Sequence, residues 1–267
     1  SYAKSGSTLP RDDWRRANVD QFVQRLYREV HAVKPTIDVG ISPFGIWRPG
    51  NPPGVAGLDA YATIYADSRR WLQQGWVDYL APQLYWANSA PQQSFSALLD
   101  WWVSQNTLGR NLWPGLAAYR VDDGAPNAFS ETEIPNQIRL TRARPGATGE
   151  LLYNTGGTLT KNGGAVAASI APLYANFAIA PTSSWLDSSP PPAPSVSVSG
   201  ATLNITPGAG ESARWWLVRA RRGSVWHSML VFADQRSVAL GGAPERVIVN
   251  AVDEAGNTSA AVRWSAP

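Results

Sequence analysis

The sequence predicts an α/β layer of repeated βα units followed by a small all-β sandwich. Three observations predict it. Strand-like runs begin near residues 37, 77, 112 and 149 with helical patterns between them, the repeat length of a βα unit. These runs are apolar on both faces, as buried parallel strands are. After the proline-rich spacer "SSPPPAPS" (188–195) the pattern changes to short β runs separated by turn residues.

The first helix is read from Val19, Phe22, Val23, Leu26, Tyr27, Val30 and Val33, an apolar stripe at spacings of three and four. The strand "IDVGIS" (37–42) follows. A second helix runs through Tyr61, Ile64, Tyr65 and Leu72 and stops at Gly75. "WVDYLAPQLYW" (76–86) begins as a buried strand and closes on a proline, a glutamine and two aromatic residues with polar atoms. The third helix passes through Phe95, Leu98, Leu99, Trp102 and Val103 and ends at Gly109; "LWPGLAAY" (112–119) is the third strand. Ser130 and Glu133 form a capping-box pattern before the fourth helix, which tolerates Pro135 in its first turn. "GELLYN" (149–154) is the fourth strand. Beyond the spacer, runs at 195–199, 202–206, 214–220, 224–233, 237–240, 246–252 and 260–264 make seven candidate strands. The expected domains are therefore residues 1–187 and 195–267, joined by a linker at 188–194.

Four βα units make half of an eight-stranded barrel, which as a whole takes about 250 residues. Half a barrel leaves two parallel edges unpaired. A preceding half outside this chain, pairing of two chains, or an open four-stranded sheet would each account for the pattern. The chain opens at Ser1 and its one methionine is Met229, so a processed chain or a piece of a longer one is expected.

Composition narrows the function. The 267 residues carry 23 basic and 20 acidic side chains, a net charge of +3, too small a surplus to suggest nucleic acid as partner. "RARR" (219–222) is the one basic run, and on a β-ribbon it reads as a solvated face. There is no cysteine, which excludes disulfides and thiolate metal sites. No apolar run reaches the length of a membrane span. The only histidines, His31 and His227, have no companions for a metal site or a triad, and no phosphate-binding glycine loop or nucleophile elbow occurs. No cofactor or metal is expected. Tryptophan is abundant, with 13 residues. Aromatic faces stack on the C–H faces of sugar rings, so the excess is compatible with a carbohydrate ligand, although packing accounts for most of it.

The runs "DDWRRANVDQFVQRLYREVHAVKP" (12–35), "GISPFGIWR" (40–48), "ADSRRWLQQGWVDYLAPQLYW" (66–86) and "PGLAAYRV" (114–121) resemble, in this order, the bacterial glycosyl-hydrolase-like family 10. The tail's "AVDEAGNTS" (251–259) resembles the last hairpin of a fibronectin type III domain. The first resemblance implies the C-terminal part of a TIM (β/α)8 barrel and a glycoside hydrolase acting on bacterial glycans, with peptidoglycan strands as one such target. It also implies an exported or envelope location. The family's Asp-Asp-Tyr-Phe-Tyr-Pro motif at the end of its fourth strand has no match here. The resemblance thus places the first barrel strands, and a principal carboxylate, outside this sequence. A non-catalytic glycan-binding or scaffold module is the alternative.

Glycoside hydrolysis uses two carboxyl groups, and in such barrels chemistry sits where strands end. The strand ends here offer Ser42, Trp47, Arg48, Gln83, Tyr85, Trp86, Tyr119 and Arg120 as substrate-binding candidates, together with Tyr153 and Asn154 at the last strand; none is a carboxylate. Asp122 and Asp123, on the loop after the third strand, are weak catalytic candidates that also read as a plain turn. Asp78, five residues before Gln83, belongs to the opposite end of its strand and is weaker still.

Overall fold

A computed structural model describes residues 1–267, which divide into two compact units, Ser1–Leu173 and Tyr174–Pro267. The spacer at 188–194 lies within the second unit. So do residues before it: Ser183 N–H donates to Ala255 O, and Thr182 Oγ1 donates to Gly256 O.

The first unit begins with α1 (Arg11–Val33) and β1 (Gly40–Ile41). The expected second helix is two short ones, α2 (Ala60–Thr63) and α3 (Ser68–Gln73), because Asp59 and Asp67 each cap a new N-terminus through a side-chain oxygen. Between them Tyr65 adopts φ 59°, which no helix accommodates. Then come β2 (Tyr79–Leu80), α4 (Phe95–Gln105), β3 (Asn111–Leu112), β4 (Gly115–Ala117), α5 (Glu133–Arg142), β5 (Leu151–Tyr153) and a short α6 (Ala165–Ile170). The capping box before α5 does not form. Thr132 occupies the N-cap, and the Glu133 carboxylate accepts from Asn88 N and Gln137 Nε2 instead.

All strand pairs in this unit are parallel, and neighbours in sequence are neighbours in space. β1 pairs β2 and β2 pairs β3; single bridges carry the ladder from Phe44 to Gln83 to Gly115, and β4 pairs β5. The chain needs a crossover between each such pair, and α2–α3, α4 and α5 supply them. Ile41, Leu80, Leu84, Leu112, Leu116 and Leu152 pack on the helices in one apolar core with Phe95, Leu98, Trp102, Ile134 and Ile138. Trp102 is fully buried and donates Nε1–H to Gly45 O at 2.8 Å.

The stripe expected on α1 is not buried as a whole. Val23 and Asp20 are buried, whereas Phe22 is 59% and Val33 80% exposed. Asp20 ties the helix to α3 by accepting from Trp71 Nε1 at 2.7 Å and Arg70 Nη1 at 3.1 Å.

The second unit contains seven strands in two antiparallel sheets: β6 (Ser195–Ser199), β7 (Thr202–Thr206) and β10 (Ser237–Ala239) in one, and β8 (Trp215–Arg222), β9 (Val225–Phe232), β11 (Arg246–Val252) and β12 (Val262–Ser265) in the other. Leu203, Ile205, Trp216, Val218, Val238, Val247 and Val249 from both sheets share one core. Gly256 takes the positive φ, 83°, that its turn requires. No helix of the chain is long and apolar enough to cross a membrane.

Candidate functional site

Side chains alternate across a strand, so the residues interleaved with the core leucines face away from the helices. These include Tyr79, Gln83 and Tyr85 on the β2 path, Trp113 before β4, and Leu151 and Tyr153 on β5, all partly or largely exposed, while the small Ala81 and Ala117 among them are buried. One face of the sheet is sealed by helices. The other carries aromatic and amide groups in contact with solvent.

At the carboxyl ends of these strands three tyrosines form a box. The Tyr85 ring stacks on Tyr153 at 5.5 Å and meets Tyr119 edge-on at 6.2 Å; Tyr119 and Tyr153 are edge-on at 5.9 Å. The three rings hold one another by offset and edge contacts of the kind aromatic quadrupoles favour. None of the three hydroxyls makes a hydrogen bond within the chain, although Tyr153 is 52% exposed and Tyr119 36%. Burial, and then the neighbouring Tyr153 and Tyr119, push the Tyr85 phenol up to about 12, so it remains a neutral O–H donor at any physiological pH.

The backbone around the box is tight. Tyr119 lies on a 3-10 turn, Ala118–Arg120, that follows β4 directly. A Cβ on Gly157 would sit 2.6 Å from the Tyr119 backbone, so only glycine fits there. Lys161 Nζ donates to Tyr119 O at 2.6 Å. Beside the box, Gln83 donates Nε2–H to Ser42 O at 3.0 Å, and its Oε1 accepts no bond within the chain. Ser42 is exposed next to it.

The other sequence candidates take different places. Trp47 stacks on Trp101 at 5.9 Å, meets Tyr61 edge-on and donates Nε1–H to Asp67, the cap of α3. Arg48 pairs with Asp59, the cap of α2, at 3.3 Å and lies over the Tyr61 ring. This pair braces the loop after β1, and no ring contact or hydrogen bond joins it to the tyrosine box. Trp86 turns to the helix side, edge-on to Phe44, and its carbonyl accepts from Gln137. Arg120 donates to Tyr85 O at 2.9 Å and Asn127 O at 2.8 Å and covers the Phe129 ring. It positions the Tyr85 backbone.

Asp122 and Asp123 are exposed on a turn. Asp122 N–H donates to Phe129 O, and Asp123 Oδ1 accepts from Ala125 N. Asp78 is fully buried at the amino end of β2, accepting from Tyr27 Oη and Val39 N at 2.8 Å each, with His31 Nε2 at 3.0 Å and Arg110 Nη1 at 3.6 Å. Burial first, and then the hydrogen bond to Asp78, raise the Tyr27 phenol to about 12. In the second unit Asp187, Glu211 and Asp253 bring carboxylate oxygens within 4.8 Å of one another. Burial and the neighbouring Asp187 raise the Glu211 carboxyl. Asp253 accepts from both nitrogens of Asn257, and Asp187 from Ser189 N, so local turns account for two of the three.

The strand-end groups that the structure brings together are therefore Ser42, Gln83, Tyr85 and Tyr119, joined by Tyr153, which the sequence placed at a strand end without marking it as a principal binding group. Its signal was parity: Leu151 and Tyr153 flank the core residue Leu152. The set can stack on a ring and donate or accept hydrogen bonds. It contains no carboxyl group to transfer a proton.

The chain is similar to glycosyl hydrolases. The glycosyl hydrolase YngK of Bacillus subtilis (strain 168) is 36% identical over 191 residues, covering 68% of this chain and 37% of that protein. The glycosyl hydrolase DigH of Escherichia coli (strain K12) is 34% identical over 168 residues, covering 57% and 38% respectively. The chain thus spans well under half the length of these relatives. Residues 2–131 match the family model described as glycosyl hydrolase-like 10.

Proposed function

We propose that the first unit is the carboxyl-terminal part of a TIM-type glycoside hydrolase barrel, and that Tyr85, Tyr119, Tyr153 and Gln83 line its sugar cleft. The observation that carries the reading is the pair of unlike faces on one parallel sheet. The helix side is apolar and sealed, while the other side is open and ends in three ordered phenols with unbonded hydroxyls. A ring seated against the box gains stacking, and its hydroxyl or acetamido groups meet Tyr O–H and the Gln83 amide. In this reading the remaining strands, from a preceding segment, close the barrel and bring the acid and base carboxyls. Bacterial glycans, including peptidoglycan strands, are the proposed substrates, with an exported or envelope location. The second unit is proposed as a fibronectin type III-like sandwich.

A second reading, a glycan-binding module without catalysis, draws on the lack of any carboxyl group among the strand-end residues. One experiment separates the two. The complete protein and its Tyr85→Phe and Gln83→Ala variants are assayed for cleavage and binding of bacterial glycan strands. The hydrolase reading expects cleavage that each variant lowers at an unchanged melting temperature. Binding without turnover in the complete protein would favour the module. Unaltered cleavage in both variants would remove the tyrosine box from the site.

A further inference from the structure

In the second unit the outward face of the four-stranded sheet has a marked division. Trp216, Val218 and Ala220 of β8 and Val247, Val249 and Ala251 of β11 face the core, so their interleaved neighbours face out. Across the strands these outward residues fall into rows. Trp215 lies opposite Phe232, and Leu217 opposite Leu230. Next, Arg219 lies opposite Ser228 on one side and Ile248 on the other, with Arg263 beyond. Last, Arg221 lies between Arg246 and Trp226. One half of the face is an aromatic and aliphatic platform, with Trp215 and Phe232 stacked at 4.2 Å. The other half holds four guanidinium groups bordered by Trp226.

This arrangement works against folding. β8, β9, β11 and β12 contain no Asp or Glu at all. Arg246 and Arg221 are direct cross-strand partners, and like charges so placed destabilise a sheet. A single carboxylate, Glu245, answers the four cations, and it pairs with Arg221 at 2.8 Å. Arg219 has only Asn250 Oδ1, at 3.2 Å, Arg263 forms no ion pair, and Arg246 feels Glu245 only at longer range, since that carboxylate is paired with Arg221. Phe232 at the platform is 54% exposed and Trp226 beside the arginines 40%, both on the sheet's outer strand β9. A solvated strand face is expected to mix charges of both signs. A ligand that supplies the missing negative charge removes the penalty.

We propose that this face binds an acidic glycan, its carboxylates held by Arg219, Arg246 and Arg263 and its sugar rings lying along Trp226 and the Trp215–Phe232 platform. Planar guanidinium forks match planar carboxylates, and flat aromatic groups match the C–H face of a pyranose. The choice of glycan over another polyanion rests on the function proposed for the first unit; the charge argument does not.

The test uses the complete chain and polygalacturonate at moderate salt, with its methyl-esterified form as the neutral control. Arg246→Gln and Arg263→Gln alter exposed side chains, so the fold survives. The double variant is expected to lose at least about tenfold in affinity and most of the salt dependence, Trp226→Ala about fivefold, and the esterified polymer is expected to bind at least about tenfold more weakly. Equal binding by the double variant, or of the esterified polymer, overturns the proposal. Binding of single-stranded DNA or of phosphatidylglycerol vesicles as tightly as polygalacturonate, lost in the same variants, overturns the glycan assignment. Neutral oligosaccharide binding that responds to Tyr85→Phe but not to the arginine variants reports on the first unit alone, so either reading can fail without the other.

Discussion

Replacing Asp78 by alanine separates scaffold from catalysis. The carboxylate is fully buried and satisfies Tyr27 Oη, Val39 N and His31 Nε2 while facing the Arg110 guanidinium, itself 12% exposed. Its loss takes a negative charge away from the largely buried Arg110 and strands at least one backbone donor, Val39 N–H. Breaking a buried pair from one side costs about 3–5 kcal/mol. With a urea dependence of about 2 kcal/mol per molar, the midpoint of the first unit falls by about 2 M. Asn at this position recovers only part, because it carries no charge opposite Arg110 and its amide N–H suits the Tyr27 hydroxyl only if that hydroxyl turns to accept. Urea unfolding read by hydrogen exchange in peptides covering residues 27–41 and 76–81 follows the first unit specifically. An unfolding midpoint equal to wild type in Asp78→Ala, together with lost glycan cleavage in the complete protein, would refute the reasoning and return Asp78 to the catalytic candidates.

The remaining predictions concern the box and the core. Gly157→Ala places a methyl 2.6 Å from the Tyr119 backbone and should destabilise the first unit by about 1–3 kcal/mol, with a parallel loss of oligosaccharide affinity measured by calorimetry. Trp102→Ala removes a fully buried ring and its hydrogen bond to Gly45 O and should lower stability by about 3–5 kcal/mol in chemical denaturation. Tyr27 and Tyr85 should ionise last in an ultraviolet phenolate titration, near pH 12. Their folded pKa values are raised, so their contribution to stability is complete below about pH 10, the unfolded value, and disappears as pH rises towards 12. Because Tyr85 titrates in the same window, the test is the amount lost: a Tyr27→Phe variant that loses as much stability as wild type between about pH 10 and 12 would contradict the assignment for Tyr27. Removing residues 174–267 should leave cleavage of short soluble oligosaccharides by the remaining protein intact, as followed by product chromatography.

Much of the secondary structure was readable because each strand start coincided with a change of apolar period, and α4 and α5 carry strong stripes. The misreadings have local causes. A single stripe from Tyr61 to Leu72 hides a break that Asp59, Asp67 and the positive φ of Tyr65 impose. Ser130 and Glu133 have the spacing of a capping box, but Glu133 finds nearer partners in Asn88 and Gln137, which no local pattern announces. At the site, strand-end position was enough to single out Ser42, Gln83, Tyr85 and Tyr119. It could not distinguish them from Trp47, Arg48, Trp86 and Arg120, because the partners that occupy those four side chains lie on other elements. Asp67, Asp59, Phe44 and the Tyr85 carbonyl become neighbours only in the fold.

The same geometry bears on the barrel proposed for the first unit. Parallel sheets are found with both faces covered, since a bare face wastes apolar area and bare edges leave backbone donors and acceptors to water. Here the helices cover one face, and the other presents Leu151, Tyr153, Gln83, Tyr85 and the Tyr79–Trp113 stack, whose rings lie 4.2 Å apart. β1 and β5 each have one unpaired side, and α1 exposes Phe22, Leu26 and Val33 along its length. An open sheet would need polar groups over this whole second face and a wetter α1. A barrel completed by further strands needs the opposite: apolar contacts at both margins and polar aromatic groups only towards the carboxyl rim. The stacking of Tyr79 on Trp113 along the strands, and the three phenols gathered at the carboxyl ends, support the barrel we propose for this unit.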